Sequence, residues 1–373
     1  MVLKRLKRIK STENTFQTFE IIAFFLNYVL RLEKMTNNTP VTLKFLAEKL
    51  KMSVSTVSKA LNNYPTINAY TRQRVQEMAR DLHFTPNKSA INLKEKRSRI
   101  IGIILPNLLD HFFTRSIYGI EQFATQNGYN VIISQSHDEL EKEIQSANML
   151  LRSRVDGLIV AISKHTQDFA HLNQFENIGI PVVYYTRNPS FNLNCHKVLC
   201  NTFQGCYQAT KFLIDRGHQK IAYLGGPKMI NFTHDRFNGY INALNDNEVP
   251  FSSELVAYTD FDKENTISAI KNLFVYPENK PTALVAFKEP ILFDAMKYLR
   301  SKKHFKTNQV ECIGFGNTSF ISYLDSPPIA SVEENPESVG ENAIALLMQL
   351  INKEIDIHNY QKVMVDCKLI VHG

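Results

Sequence analysis

Apolar residues recur at two different periods along this chain, and the change of period marks its organisation. Between residues 41 and 82 the spacing is helical. Leu43, Leu46, Ala47 and Leu50 share one face of a short helix, Val57, Ala60 and Leu61 a face of a second, and Val75, Met78, Ala79 and Leu82 a face of a third. Lys51-Met52 interrupts the first pattern, Ser53 is placed to cap the second helix, and Asn68 the third. From residue 99 onward, continuous apolar runs alternate with amphipathic stretches. Strands are predicted at 100–106, 129–136, 155–162, 180–186 and 197–201, with helices at 113–127, 138–153 and 203–216. A second series has strands at 220–225, 254–261, 282–287 and 310–316 and helices at 233–247, 263–274 and 290–301. Buried strands alternating with helices predict parallel sheets covered on both faces. The number of strands and the change of series near residue 200 predict two lobes.

The helical segment carries candidate chemistry. Two short helices joined by a three- or four-residue turn, the second presenting small and polar side chains with a lysine, describe a helix-turn-helix. Its outward positions are Val54, Ser55, Thr56, Ser58, Lys59 and Asn62, beyond the cap at Ser53. Small hydroxyl side chains let a helix approach base edges closely, and Lys59 can reach a base acceptor or a phosphate. A plain helical hairpin with a solvated face also fits these residues taken alone.

Charge sharpens that picture. Residues 1–99 hold 19 Lys+Arg against 7 Asp+Glu, a net of +12, which against +7 for the whole chain leaves −5 for residues 100–373. A basic head on a mildly acidic body predicts that a polyanionic partner meets the head alone. The five cysteines (Cys195, Cys200, Cys206, Cys312, Cys367) show neither CxxC nor zinc-like spacing and read as reduced thiols of a cytoplasmic protein. No cofactor or metal is expected. Gly225-Gly226-Pro227 is not a G-x-G-x-x-G loop, and neither a P-loop nor a G-x-S-x-G elbow occurs, so an enzyme is not expected. Residues 1–38 are set apart as an N-terminal extension. MVLKRLKRIK followed by FEIIAFFLNYVL imitates the start of a signal peptide, but no small-residue cleavage site follows. The apolar run is shorter than the ~20 residues a membrane span needs, and Met35 offers an alternative start.

The runs AEKLKMSVSTVSKALNNYP and TRQRVQEMARDLHFTPNKSA, continued by INLKEKRSR, resemble the DNA-binding headpiece of the lactose-repressor (LacI/GalR) family over its full length. The resemblance implies an all-α headpiece at 39–86, a hinge helix at 87–98, and an α/β body at 99–373. That body would be periplasmic-binding-protein-like, with two doubly wound parallel-sheet lobes, about 99–200 and about 201–326, each taking part of the C-terminal region. IASVEENPESVGENAIALLMQL resembles the family's returning strand and following helix, with the chain crossing back to the first lobe after about 327. A homodimer on a palindromic double-stranded operator is implied, read by Thr42, Leu43, Ser53, Val54, Ser55, Thr56, Lys59 and Asn62. Asn87, Ala90 and Leu93 of the hinge would join them, Leu93 as an apolar wedge in the minor groove. Lys51 stands where a glycine is frequent in the family's turn. His218 in RGHQKIAY matches a turn histidine of structural role.

For the cleft between the lobes, the resemblance implies an effector held by Phe112, Phe113, Ser134, Arg236, Phe261, Phe287, Lys288 and Asn317. Phe112-Phe113 would line the cleft, Ser134 would bond a ligand hydroxyl, Arg236 would clamp vicinal oxygens or a carboxylate, and Phe261 would stack. The chain departs from the family at Phe287-Lys288, where Asn-Asp is usual, and at Gly316, where Asp is usual. Thr186 is a third departure, where Asp is frequent. Fewer acids and one more lysine imply a less negative, more aromatic cleft. An anionic sugar derivative is expected from this, with a neutral sugar as the alternative. The expected function is sequence-specific transcriptional control, as a repressor, by a small ligand of the sugar class. The alternatives are a catabolite regulator with a phosphorylated carrier protein as corepressor, and a solute-binding protein.

Overall fold

A computed structural model describes residues 41–84, 97–188, 194–275, 280–301 and 310–372. The chain divides into two compact units, Met1–Glu95 and Lys96–Gly373. The N-terminal extension and most of the expected hinge, including Asn87, Ala90 and Leu93, lie outside the described residues.

Among its described residues the first unit holds three helices, α1 (Leu43–Leu50), α2 (Val54–Leu61) and α3 (Ala69–Asp81). Each begins at a side chain that accepts a backbone N–H otherwise left without a partner: Thr42 from Phe45, Ser53 from Thr56, Asn68 from Thr71. The helices close over Leu46, Ala47, Leu50, Val57, Ala60, Val75 and Ala79, with Leu43, Leu61, Met78 and Leu82 packed around them. These are the residues singled out by the 3/4 spacing. In the turn between α1 and α2, Lys51 takes the left-handed conformation (φ 52°, ψ 42°). A non-glycine residue bears that geometry at about 1 kcal/mol or more, and the turn forms nonetheless because Met52 N–H closes on the Ala47 carbonyl.

Among its described residues the second unit contains two six-stranded sheets. The first comprises β1 (Ile100–Leu105), β2 (Asn130–Gln135), β3 (Gly157–Val160), β4 (Val182–Tyr185), β5 (His196–Cys200) and β11 (Lys362–Val365), in the order β11-β5-β4-β3-β1-β2. The second comprises β6 (Ile221–Gly225), β7 (Val256–Tyr258), β8 (Ala283–Ala286), β9 (Glu311–Phe315), β10 (Ala330–Glu333) and β12 (Lys368–Val371), in the order β12-β10-β9-β8-β6-β7. Every pairing is parallel except β10 with β12. All residues of β3, β4, β6 and β8 are buried, as both-face covering requires. The cover is supplied by α4 (His111–Gln126), α5 (Leu140–Arg152) and α6 (Ala170–Asn177) in the first lobe. In the second lobe it is supplied by α7 (Thr202–Asp215), α8 (Asn231–Asp246), α9 (Lys263–Leu273) and α10 (Glu289–Ser301).

The chain passes between lobes three times: after β5, at Glu334-Asn335, and at Asp366-Cys367. The return after about 327 is thus displaced. β10 still pairs with β9, and the chain crosses only beyond Glu333, into α11 (Pro336–Ile351). α11 lies against α4 so closely that a Cβ on Gly340 would stand 2.0 Å from the Ser116 carbonyl oxygen. Neither α6 nor the edge strands β11 and β12 were expected. Among the described residues no helix is long and apolar enough to cross a membrane.

Candidate functional site

In the first unit, α2 divides its polar side chains between its own cap and the outside. Ser53 Oγ accepts Thr56 N–H and lies 2.8 Å from Thr56 Oγ1, so both hydroxyls serve the helix start. Val54, Ser55 and Lys59 are exposed. Asn62, also exposed, caps the helix end through its amide, which donates to the Ser58 carbonyl at 2.9 Å. Thr42 is occupied in capping α1, and Leu43 is half-buried against the helical core. Val54, Ser55 and Lys59 therefore form the most open surface of α2, with Ser53, Thr56 and Thr42 presenting atoms already engaged in capping.

In the second unit a cavity of about 390 Å³ opens where the strands of both sheets end, the position at which α/β sheets hold ligands. Phe112 and Phe113 at the start of α4 line it from the first lobe. Phe232, Arg236, Phe261, Phe287, Lys288 and Asn317 line it from the second. Three lining residues just beyond strand ends, Thr186 (φ 54°), Phe261 (φ 78°) and Gly316 (φ 108°), lie in the left-handed region. Such strain concentrates where a site is being shaped. At Gly316 the backbone itself explains the glycine, and a Cβ there would also meet the Glu289 side chain at 3.0 Å.

Ser134 does not join this group. It pairs with Ile104 across β1 and β2, so it faces the α5 side of the sheet, where its hydroxyl donates to Ser146 at 2.8 Å. Side chains alternate along a strand, and a one-residue shift exchanges cleft for helix.

The cleft is nonetheless well supplied with carboxylates. Asp110, Glu289, Glu333 and Glu334 line the cavity together with Arg187, Arg236 and Lys288. Each of these cations is matched by a carboxylate. Lys288 Nζ lies 3.2 Å from Asp110 Oδ2, Arg187 pairs with Asp138, and Arg236 Nη2 lies 2.5 Å from Glu334 Oε1. Glu289, supplied from the start of α10, puts a carboxylate beside Gly316, the position whose missing acid suggested the deficit. Its Oε1 accepts Thr318 N–H at 2.8 Å, and burial pushes its carboxyl above the usual range. Burial likewise pushes Glu334 up, with Arg236 opposing.

Arg236 is the centre of the cavity wall. Its guanidinium carbon lies 3.6 Å from the ring centroid of Phe315, 4.5 Å from that of Phe287 and 4.8 Å from that of Phe232. Phe232 and Phe287 stack at 5.5 Å and 12°. With Nη1 donating to the Phe287 carbonyl and Nη2 to Glu334, the open fork expected for clamping a ligand is already engaged by the protein. Its Nε is buried without a partner. Glu334 and Arg187 were not anticipated. Their only sequence signal is their position within two residues of a strand end, in SVEE and VVYYTR.

At the opposite end of the second lobe, His218 bonds Thr282 Oγ1 (2.8 Å) and Glu311 Oε2 (3.0 Å), while Arg216 grips both Glu311 oxygens at 2.6 Å. The Arg216 hydrogen bonds hold the Glu311 carboxyl down to about 2. This cluster ties β9 to the turn before β6. Among the described residues no His/Cys/Asp/Glu group is arranged to hold a metal ion.

Residues 98–372 match the family described as periplasmic binding proteins and sugar binding domain of LacI family, and residues 42–87 match the bacterial regulatory proteins, lacI family. Catabolite control protein A of Priestia megaterium is 29% identical over 315 residues, covering 84% of this chain and 93% of its own length. The HTH-type transcriptional repressor CytR of Escherichia coli (strain K12) is 27% identical over 335 residues, covering 90% and 96%. Among solved structures, the lac repressor dimer bound to operator and the anti-inducer ONPF aligns with a TM-score of 0.76 at 22% identity, over 89% of this chain and 98% of that one.

Proposed function

The chain belongs to the LacI family of bacterial regulatory proteins, DNA-binding transcriptional regulators with a ligand-binding body, and from that premise we propose how its two units work. The protein acts in the cytoplasm as a homodimeric repressor on a two-fold-symmetric operator. Val54, Ser55 and Lys59 of α2 read the major groove. A small ring compound in the cleft sets operator affinity by preferring one arrangement of the lobes over another. The observation that carries the ligand class is the state of the cleft's cations: Arg187, Arg236 and Lys288 all have carboxylate partners, while eight phenylalanines form the walls. A neutral ligand rich in hydroxyl or N–H donors, of the sugar class, suits aromatic walls with carboxylate acceptors better than an anion does.

The experiment is a thermal-shift panel of neutral sugars, uronic and aldonic acids and sugar phosphates on the full chain, since a ligand specific to the native state raises Tm by mass action. Shifts with neutral compounds support the reading. A shift confined to the acids and abolished by Lys288→Ala would reinstate an anionic pocket. For the DNA side, operators selected from a random duplex library are titrated across salt. Lys59→Ala should alter base preference more than the salt slope, and an equal loss on every sequence would make Lys59 a phosphate contact.

A further inference from the structure

The ammonium of Lys288 sits in surroundings built for a ligand. It belongs to the second lobe, at the start of α10, and lies 3.2 Å from Asp110 Oδ2 of the first lobe and 4.2 Å above the ring of Phe261. Asp110 is fixed independently of it. The Oδ1 atom accepts Phe112 N–H at 3.1 Å and so caps α4, whose positive end favours the carboxylate. Phe261 is fixed as well: its strained backbone (φ 78°) is held by N–H donation to Thr259 Oγ1 at 3.3 Å, and Thr259 Oγ1 lies 2.6 Å from Thr266 Oγ1. A preset carboxylate and a preset aromatic face are the two elements by which proteins bind organic cations. Lys288 and Asp110 are each about one-quarter exposed (26% and 25%), so the contact is neither deeply buried nor on the open surface.

We propose that Asp110 and Phe261 form an ammonium subsite in the cleft, that Lys288 fills it as a tethered ligand, and that this occupancy latches the two lobes together. The inference rests on the cleft being the ligand site, and it extends that reading. An effector amine that takes the place of the Lys288 ammonium between Asp110 and Phe261 displaces it to do so, which makes Lys288 a determinant of ligand choice. The Asn231 amide donating to Asn188 spans the same cleft and leaves the lobes a second polar contact when Lys288 is released.

The test needs neither effector nor operator. Cysteines at His165 of the first lobe and Met229 of the second, both exposed, take spin labels in the full chain, while the five native thiols are buried. Pulsed dipolar spectroscopy then reads the distance between lobes. The distribution should be narrow with Lys288 present, and Lys288→Ala should lengthen and broaden it by several ångströms. Ethylammonium at tens of millimolar, a typical effective concentration for a tethered group, should restore the narrow distribution in Lys288→Ala, whereas ethanol and propionate should not. The same addition should do nothing in Asp110→Asn/Lys288→Ala, in which asparagine keeps the helix cap. A wild-type distribution in Lys288→Ala overturns the latch. Rescue by all three additives, or by none, overturns the ammonium subsite. Because no sugar enters the experiment, its failure and that of the ligand panel are separate results.

Discussion

Gly226→Ala tests the cleft wall directly. A Cβ at Gly226 would stand 2.6 Å from Phe287 Cε1 and 2.7 Å from Cδ1 and Cζ, against the 3.5–4.0 Å or so of an ordinary carbon contact. The Phe287 ring must therefore retreat by about 1 Å. The ring is closely packed: it stacks on Phe232 at 5.5 Å, and the Arg236 guanidinium carbon lies 4.5 Å from its centroid. That guanidinium is itself anchored to the Phe287 carbonyl and to Glu334. Overpacking of this kind costs about 1–3 kcal/mol, and a confined ring places Gly226→Ala near the upper end, about 2–3 kcal/mol. Phe287→Leu alone should cost about 1–2 kcal/mol through the space it leaves. In the double variant the smaller leucine admits the new methyl group, so the combined loss should be about 1–2 kcal/mol rather than the sum of about 3–5 kcal/mol, a coupling of about 2–3 kcal/mol between touching residues. Urea unfolding at pH 7 followed by far-UV circular dichroism measures all four corners, with unchanged m-values as the condition for comparing them. Additive losses, or a Gly226→Ala protein as stable as the parent, would show that the Phe287 ring does not rest on this glycine.

Three further outcomes are expected. Ser53→Ala removes the α2 cap and should cost the headpiece about 1 kcal/mol, read as roughly fivefold faster exchange of the α2 amides in the full chain; unchanged exchange would mean that the cap contributes nothing. Lys51→Gly relieves a left-handed lysine and should slow the same exchange by up to about twofold, since the relief of about 1 kcal/mol is partly offset by glycine's freedom in the unfolded chain; faster exchange would contradict the φ of 52°. Glu311 titrates near 2 when folded because Arg216 hydrogen-bonds it, below the usual unfolded value of about 4.3. Its folded pKa is depressed, so its stabilising effect is complete above the unfolded value and fades as pH falls through the folded one. The stability gap between the parent and Glu311→Gln should close as pH falls from about 4.3 toward 2; a gap unchanged across that range would refute the assignment.

Local pattern was enough for the headpiece because each of its helices carries both a cap and a 3/4 apolar face within a dozen residues, as Ser53 with Val57 and Ala60 shows. The main strands were legible for a related reason: fully buried runs such as ALVA of β8 admit little else. α6 escaped notice because it starts at Phe169 without a side-chain cap. β11 and β12 escaped because KVMV and KLIV are short edge strands, mostly exposed or half-exposed. In the cleft, residue type and approximate place were readable, but partnership was not. Lys288 looked like a free cation until the fold brought it to Asp110, 178 positions away, and Arg236 looked like an open clamp until Glu334 arrived from 98 positions away. Ser134 failed for a smaller reason, since strand phase decides which face a residue serves and the local sequence did not fix that phase.

The threefold passage of the chain between lobes also governs how the protein is made. β11 completes the edge of the first sheet by pairing with β5, and β12 completes the second by pairing antiparallel with β10. Both strands come from residues 362–371, later in the chain than every other strand of either sheet. Until then β5 and β10 each present an open edge, the kind of surface on which growing chains pair wrongly. Neither lobe is finished until this stretch has been made, and both sheets then gain their last strand from one short piece of chain. A premature stop anywhere before β11 therefore removes an edge strand from both sheets at once.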